Sequence, residues 1–103
     1  MKKEIFYEYV NQVAIMFEID REILFTKTKK RDVVDARYLI YYLAIERKIN
    51  VIYIQQYMLD GGYDTNHSSV CRGINVVRKK VESDVDYIDI INKLNSEVNK
   101  TQL

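Results

Sequence analysis

Four consecutive polar side chains stand ahead of an apolar repeat, and all four can hydrogen-bond to another molecule. They are Asn66, His67, Ser68 and Ser69, and Arg72 follows one helical turn later. If a helix begins here, its unpaired N–H groups and its partial positive charge favour an anion such as a phosphate. The plainer interpretation is that Asn66 or Ser68 only caps a structural helix, which is the commonest use of such residues.

A second chemically active group is a cluster of cations. In the segment 25–31, four cations fall within five positions, at Lys27, Lys29, Lys30 and Arg31, and the segment has no apolar periodicity. We therefore expect an exposed basic loop. Such a loop can contact phosphates or enter a minor groove, and its plainer interpretation is a solvated surface loop.

Charge is distributed unevenly along the chain, although the formal net charge is only +1. Residues 1–25 carry three cations and five carboxylates (−2), residues 26–80 carry eleven and five (+6), and residues 81–103 carry two and five (−3). A basic middle between acidic ends is typical of a protein that orients itself on DNA. It is also compatible with a solvated surface whose charge is simply uneven.

Enzymatic and metal chemistry are weakly supported. Asp64, His67 and Ser68 are the residue types of a catalytic trio, but they are nearly consecutive, whereas such trios converge from separated positions. His67 and Cys71 are spaced i, i+4, yet structural zinc requires four ligands and no further His or Cys exists. We therefore expect no enzyme, no metal ion and no cofactor.

The composition favours a single helical domain over residues 1–103. Proline is absent and only three glycines occur, which leaves helices uninterrupted and argues against a loop-rich or sandwich fold. The single cysteine excludes an internal disulfide and fits a reducing, cytoplasmic setting. No apolar run reaches the roughly 20 residues that span a bilayer, so we expect no membrane contact.

Apolar periodicity predicts a compact all-α bundle of about six helices. They are expected at about residues 3–17, 33–45, 51–59, 67–82 and 85–98, with a short one at Ile23 and Leu24. The helix over 33–45 is apolar nearly all round and should be the central one. Caps are expected at Asp20, Asn50 and Asp84, and residues 100–103 are expected to fray.

Two of these helices, joined by a turn that Gly61-Gly62 opens, have the helix-turn-helix arrangement over about 51–82. The apolar stripe of the second is formed by Val70, Ile74, Val77 and Val81. Gly73 permits close packing against a neighbouring helix, and Lys79 lies on the polar face with Arg72. The small polar N-terminal end of this helix has the form needed to enter a major groove. The last helix has its apolar stripe at Ile88, Ile91, Leu94 and Val98.

Taken in order, these motifs resemble the C-terminal DNA-binding domain of the bacterial replication initiator DnaA. Residues 13–17 resemble its V-A-x-x-F segment, and residues 26–31 resemble its basic loop of the S-K-R-x-R type. Residues 34–43 resemble its central helix, V-x-A-R-Q-x-A-M-Y-L. Gly61-Gly62 with residues 67–70 resembles the signature G-G-R-D-H-T-T-V. The resemblance covers residues 10–98 and implies a DnaA-like or Trp-repressor-like fold.

The resemblance also implies contacts with double-stranded DNA, residue by residue. His67, Ser68 and Ser69 would contact bases or phosphates in the major groove, Lys29 and its neighbours would approach the adjacent minor groove, and Arg72 would touch phosphate. The full set of candidate DNA-binding residues is Lys27, Lys29, Lys30, Arg31, Asp64, Asn66, His67, Ser68, Ser69, Arg72 and Lys79. Arg37 matches a family arginine, and its role stays open between a structural ion pair and a DNA contact.

The chain departs from the family at the signature motif. Tyr63 replaces the arginine that follows the paired glycines, and two extra residues separate Asp64 from His67, so that either Asp64 or Asn66 could stand for the family's aspartate. Loss of an arginine that can pair bidentately with guanine should alter base preference. The family's target sequence is therefore not transferred.

We expect a stand-alone relative from a phage or mobile element, acting in replication or transcription control. The phosphate-cradling segment G-x-x-x-x-G-K-[S/T] is absent, so we expect no nucleotide. A replication or transcription protein is a further expected partner. The alternative is a protein-interaction module of a replication or phage regulatory complex, since nine tyrosines are many for this length and tyrosine is favoured at interfaces.

Overall fold

Residues 1–101, which the computed structural model describes, form helices and no strands. The five α-helices are α1 (Lys2–Phe17), α2 (Arg31–Glu46), α3 (Val51–Asp60), α4 (His67–Ser83) and α5 (Val85–Thr101), and a 3-10 helix, Arg21–Phe25, lies between α1 and α2. The all-α prediction is confirmed. There are five α-helices and not about six, because the short helix after Asp20 closes i to i+3 turns, in which the Ile23 N–H donates to the Asp20 carbonyl.

Helix α2 is the central element, as predicted, and it packs mainly against α1 and α4. Its buried apolar residues are Val33, Ala36, Leu39, Ile40, Tyr41, Leu43 and Ala44. These positions cover more than a single stripe, because α2 has neighbours on several sides. The partly buried tyrosines Tyr38, Tyr42 and Tyr57 pack against this core, as expected of rings that leave their hydroxyls near the surface.

Phe25 was expected in the exposed basic loop, and that expectation is wrong. It is the last residue of the 3-10 helix and is buried. Its ring lies over Gly61 at the end of α3, where an added Cβ would come within 2.5 Å of the ring. The local sequence is basic, but the bare backbone of Gly61 leaves room for the aromatic side chain.

Two of the three predicted caps, Asn50 and Asp84, are confirmed, and Asn66 caps α4 as in the plainer interpretation of its polar start. Asn50 accepts a hydrogen bond from the Tyr53 N–H at 3.2 Å, Asn66 accepts one from the Ser69 N–H at 2.8 Å, and Asp84 accepts one from the Asp86 N–H at 3.0 Å. The prediction for Asp20 is wrong: it stands at the N-cap position, but its carboxylate accepts no capping bond.

The stripe predicted for α4 is confirmed, with Val70, Ile74 and Val77 buried and Val81 partly buried. In α5, Leu94 and Val98 are buried, but the prediction for Ile88 is wrong, since it is 41 % exposed. Side chains join α5 to the rest of the fold in both halves: the Lys80 ammonium donates to the Tyr87 hydroxyl, Tyr9 donates to Asn95, and Arg47 donates to Asn99.

Two predictions concern the ends of elements and the membrane. Lys100 and Thr101 belong to α5, and the predicted fraying of residues 102–103 lies outside the described residues. Between residues 1 and 101, no helix has both the length and the apolar character needed to cross a membrane.

Gly73 provides a test of the packing between α4 and α2. An alanine Cβ at this position would lie 2.5 Å from Tyr38 Cδ1 and 2.9 Å from Cγ, close to the fixed root of the ring. Overpacking costs about 1–3 kcal/mol, whereas the better helix propensity of alanine returns at most about 1 kcal/mol. We expect Gly73→Ala to lower the free energy of unfolding in a denaturant titration.

The matched control is Asn75→Ala on the exposed face of the same helix. It should change the free energy of unfolding by no more than about 0.5 kcal/mol. A Gly73→Ala protein as stable as the wild type would contradict the tight approach of α4 to Tyr38.

Candidate nucleic-acid interface

The connection between α3 and α4 is a six-residue turn, residues 61–66. Gly62 has a φ of +113°, a conformation that side-chain-bearing residues rarely adopt, so a glycine is required here. The Tyr63 N–H then donates to the Met58 carbonyl at 2.9 Å, which folds the turn back onto α3. The chain thereby reaches Asn66 in an extended conformation, ready to begin α4.

The first turn of α4 presents the polar group found in the sequence. Asn66 is the N-cap, and His67, Ser68 and Arg72 are exposed, whereas Ser69 is half-buried. The cap engages the Ser69 N–H, and the Val70 N–H bonds to the Asn66 carbonyl. The backbone N–H groups that precede Ser69 have no acceptor within the helix, as at any helix start, so they can bind an acceptor on another molecule.

The basic loop, residues 26–30, is shorter than predicted. Lys27, Lys29 and Lys30 lie in it and are exposed. Arg31 does not, because it is the first residue of α2, where its guanidinium lies 3.8 Å from the Asp35 carboxylate one turn later. An exposed i, i+4 pair of this length is weak and leaves Arg31 available to a stronger acceptor.

Arg37 is the one buried charged residue of residues 1–101, with 4 % exposure. Its guanidinium donates through Nε to the Leu24 carbonyl at 2.9 Å and through Nη1 to the Thr28 carbonyl at 3.1 Å. It also donates through Nη2 to the Thr26 carbonyl. Of the two roles left open by the sequence, the structural ion pair is not formed within residues 1–101: the guanidinium is held by carbonyl dipoles of the 3-10 helix and of the loop.

A tyrosine joins this guanidinium to the turn before α4. The Tyr63 ring lies over it, with the guanidinium carbon 4.3 Å from the ring centroid, a distance typical of a cation–π contact. Tyr41, one helical turn after Arg37 on α2, is buried. Burial raises the pKa of the Tyr41 hydroxyl well above its usual value, so this hydroxyl stays neutral.

A cleft of about 460 Å³ lies between the basic loop and the start of α4. Five of the predicted residues line it: Lys27, Lys29, Asp64, Ser69 and Arg72. Its remaining lining is Thr28, Val34, Arg37, Tyr38, Tyr41, Tyr63 and Thr65. The charged lining is thus four cationic side chains and one carboxylate, which favours an anionic ligand.

The other predicted residues lie outside this cleft. Lys30 and Arg31 are on the loop and at the start of α2, and Asn66, His67 and Ser68 are at the start of α4. Lys79 is seven residues after Arg72, which places it on the same face of α4 and about 10 Å further along the axis. The structure therefore brings together the loop and the start of α4, with Lys79 as an extension of that surface.

His67 and Cys71 contact each other on α4, with His67 Nδ1 3.5 Å from Cys71 Sγ. No further ligands complete a metal site with these two side chains, since residues 1–101 contain no group of three or more His, Cys, Asp or Glu side chains placed to hold a metal ion. The contact is a local i, i+4 interaction on the helix surface.

No protein-family model, curated protein or solved structure matches the chain.

Sequence reasoning missed the role of Tyr63 in this site. The sequence identifies Tyr63 only as the replacement of an arginine, whereas in the structure its ring lies over the Arg37 guanidinium. One signal was available: Arg37 interrupts an apolar stretch of α2, and an arginine at a buried helical position must find acceptors nearby. The sequence could not show which carbonyls those would be.

The cap of α4 can be tested separately from any ligand. Asn66→Ala removes the acceptor for the Ser69 N–H and should lower the free energy of unfolding by about 1 kcal/mol. Asn66→Asp keeps an acceptor and adds a negative charge at a helix N-terminus, so it should match the wild type in stability. Denaturant titrations of the three proteins provide the measurement, and equal stability of the alanine and aspartate variants would contradict this capping role.

Proposed function

We propose that the chain binds double-stranded DNA. In this proposal α3, the turn 61–66 and α4 act as a helix-turn-helix, with the start of α4 in the major groove and the basic loop in the adjacent minor groove. This is the arrangement implied by the resemblance to the C-terminal domain of DnaA, and the role would be in replication or transcription control. Double-stranded DNA is the partner, and the chemistry is binding without catalysis.

One observation carries this proposal: two cationic elements far apart in sequence line the same cleft. Lys27 and Lys29 come from the loop, and Arg72 comes from α4. A single sugar-phosphate strand separates a major groove from the adjacent minor groove. A protein that enters both must therefore straddle that strand, and a cleft with cations on its two walls fits this requirement.

The charges of the chain support the same orientation. The acidic end segments, 1–25 and 81–103, belong largely to α1 and α5, which pack against each other. The basic loop and the start of α4 belong to the +6 middle segment. Such a separation of charge orients a protein as it approaches a polyanion.

Binding to random-sequence duplex DNA at several salt concentrations tests the proposal. We expect affinity to fall steeply with salt, because each phosphate contact releases counterions. Lys29→Ala should weaken binding to most sequences and reduce the slope of log K against log salt by about 1. Absence of binding to any duplex, even at low salt, would contradict the proposal.

Lys93→Ala is the matched control for Lys29→Ala, since it removes the same charge from an exposed position. Lys93 lies on α5 and lines a groove with Gln12 and Met16 of α1, away from the loop. Its removal should leave the salt slope unchanged. An equal effect of both substitutions would mean that net charge, and not the loop, determines binding.

Sequence preference should depend on the start of α4. His67→Ala and Ser68→Ala remove side chains that can hydrogen-bond base edges, and each lost specific contact should cost about 1–3 kcal/mol of discrimination at one base pair. Selection of preferred sites from random duplexes by the wild type and by each variant measures this. Identical preferences in all three would assign base reading to another surface.

A second candidate function has an observation of its own. Ile52 and Leu59 on α3 are 71 % and 50 % exposed, and they border one shallow depression together with Gln55 and Gln56. Apolar side chains that are exposed together at one depression can form part of a protein-interaction site. The alternative, an interaction module of a replication or phage regulatory complex, would be favoured if the duplex titration gave no binding.

A further inference from the structure

We propose that Arg37 and Tyr63 are positioning residues that hold the basic loop at a fixed distance from α4. This inference rests on the proposed DNA-binding function, because its consequence is that loop and helix can engage two adjacent grooves together. Neither residue needs to touch DNA for this role. Arg37 is 4 % exposed, and its Nε, Nη1 and Nη2 atoms already donate to backbone carbonyls, so its effect would be transmitted through the loop.

The guanidinium organises a segment that has no regular secondary structure of its own. Residues 27–30 belong to no helix or strand, and the carbonyls of residues 24, 26 and 28 all accept hydrogen bonds from Arg37. One rigid, planar fork therefore fixes three points along five residues. A lysine ammonium is a compact point charge without this fork and cannot reproduce the pattern.

Tyr63 connects that fork to the other wall of the cleft. Its backbone is held to α3 through the bond to the Met58 carbonyl, and its ring covers the guanidinium at 4.3 Å. The turn that leads into α4 and the loop that carries Lys27 and Lys29 are thus both in contact with the Arg37 guanidinium. Removing the ring should loosen this connection while the cap of α4 and the loop charges stay in place.

Tyr63→Ala and Tyr63→Phe form the matched pair for a test on DNA. Tyr63→Phe keeps the ring over Arg37, so its duplex affinity should be within about twofold of the wild type. Tyr63→Ala loses a cation–π contact and should bind about threefold to tenfold more weakly. Equal binding by both variants and the wild type would overturn the proposal.

A double-mutant cycle with Lys29→Ala shows whether the effect passes through the loop. If Tyr63 acts by holding the loop, then its replacement should matter less once Lys29 is already gone, and the two fold-changes should not multiply. If the fold-changes multiply fully, Tyr63 acts through α4 or directly on DNA, and the positioning role through the loop is overturned.

Trypsin digestion of the free protein tests the loop without DNA. Trypsin cleaves after lysine and arginine, so the loop supplies its own sites at Lys27, Lys29 and Lys30. In Tyr63→Ala, and in Arg37→Lys if it folds, we expect cleavage at these sites several-fold faster than in Tyr63→Phe. Cleavage after Lys93 should stay unchanged, whereas general destabilisation would accelerate cleavage at both places and would overturn a specific role.

The two experiments separate the failure of this inference from the failure of the proposed function. If the wild type binds no duplex, the proposed function fails, and the trypsin comparison still decides whether Tyr63 and Arg37 hold the loop. If the wild type binds but loop cleavage is the same in Tyr63→Ala and Tyr63→Phe, the positioning role is wrong while the DNA-binding proposal stands.

Discussion

The interaction on which the candidate site most depends is the burial of the Arg37 guanidinium among backbone carbonyls. Taking a full charge out of water is costly unless its donors are satisfied. Here the acceptors are three carbonyls of the 3-10 helix and the loop, and the Tyr63 ring covers one face. Because no carboxylate neutralises it, the same group that shapes the loop also leaves a positive charge beneath the cleft. One side chain thus contributes both to the shape of the loop and to the charge of the cleft.

The packing around this group explains why loop and turn meet at all. Phe25 ends the 3-10 helix and lies over Gly61 at the end of α3, while Tyr38 of α2 lies against Gly73 of α4. In both places a glycine lets a ring approach the backbone, so the loop is held on one side and α4 on the other. The cleft is what remains between two such contacts. Its shape is therefore set by the apolar core together with Arg37, while Lys27, Lys29 and Arg72 line it.

Most helices could be predicted from the sequence, because their positions follow from local rules: apolar residues recur with the helical period, and Asn50, Asn66 and Asp84 supply caps at the expected places. The errors have a tertiary origin. The burial of Phe25 depends on a glycine far along the chain, and the exposure of Ile88 depends on how α5 packs against the other helices. The bonding of Arg37 could not be predicted for the same reason.

Tyr63 offers a chemistry different from that of an arginine at the same place. In the motif that the chain resembles, an arginine follows the paired glycines, and an arginine fork can read guanine bidentately. A tyrosine cannot do this, but it can cover a buried cation, as Tyr63 does with Arg37. Under the proposed function, base reading would then fall to the exposed side chains at the start of α4, His67 and Ser68, while the turn contributes rigidity. Under the same proposal, the target site would depend less on guanine at the position that such an arginine would read.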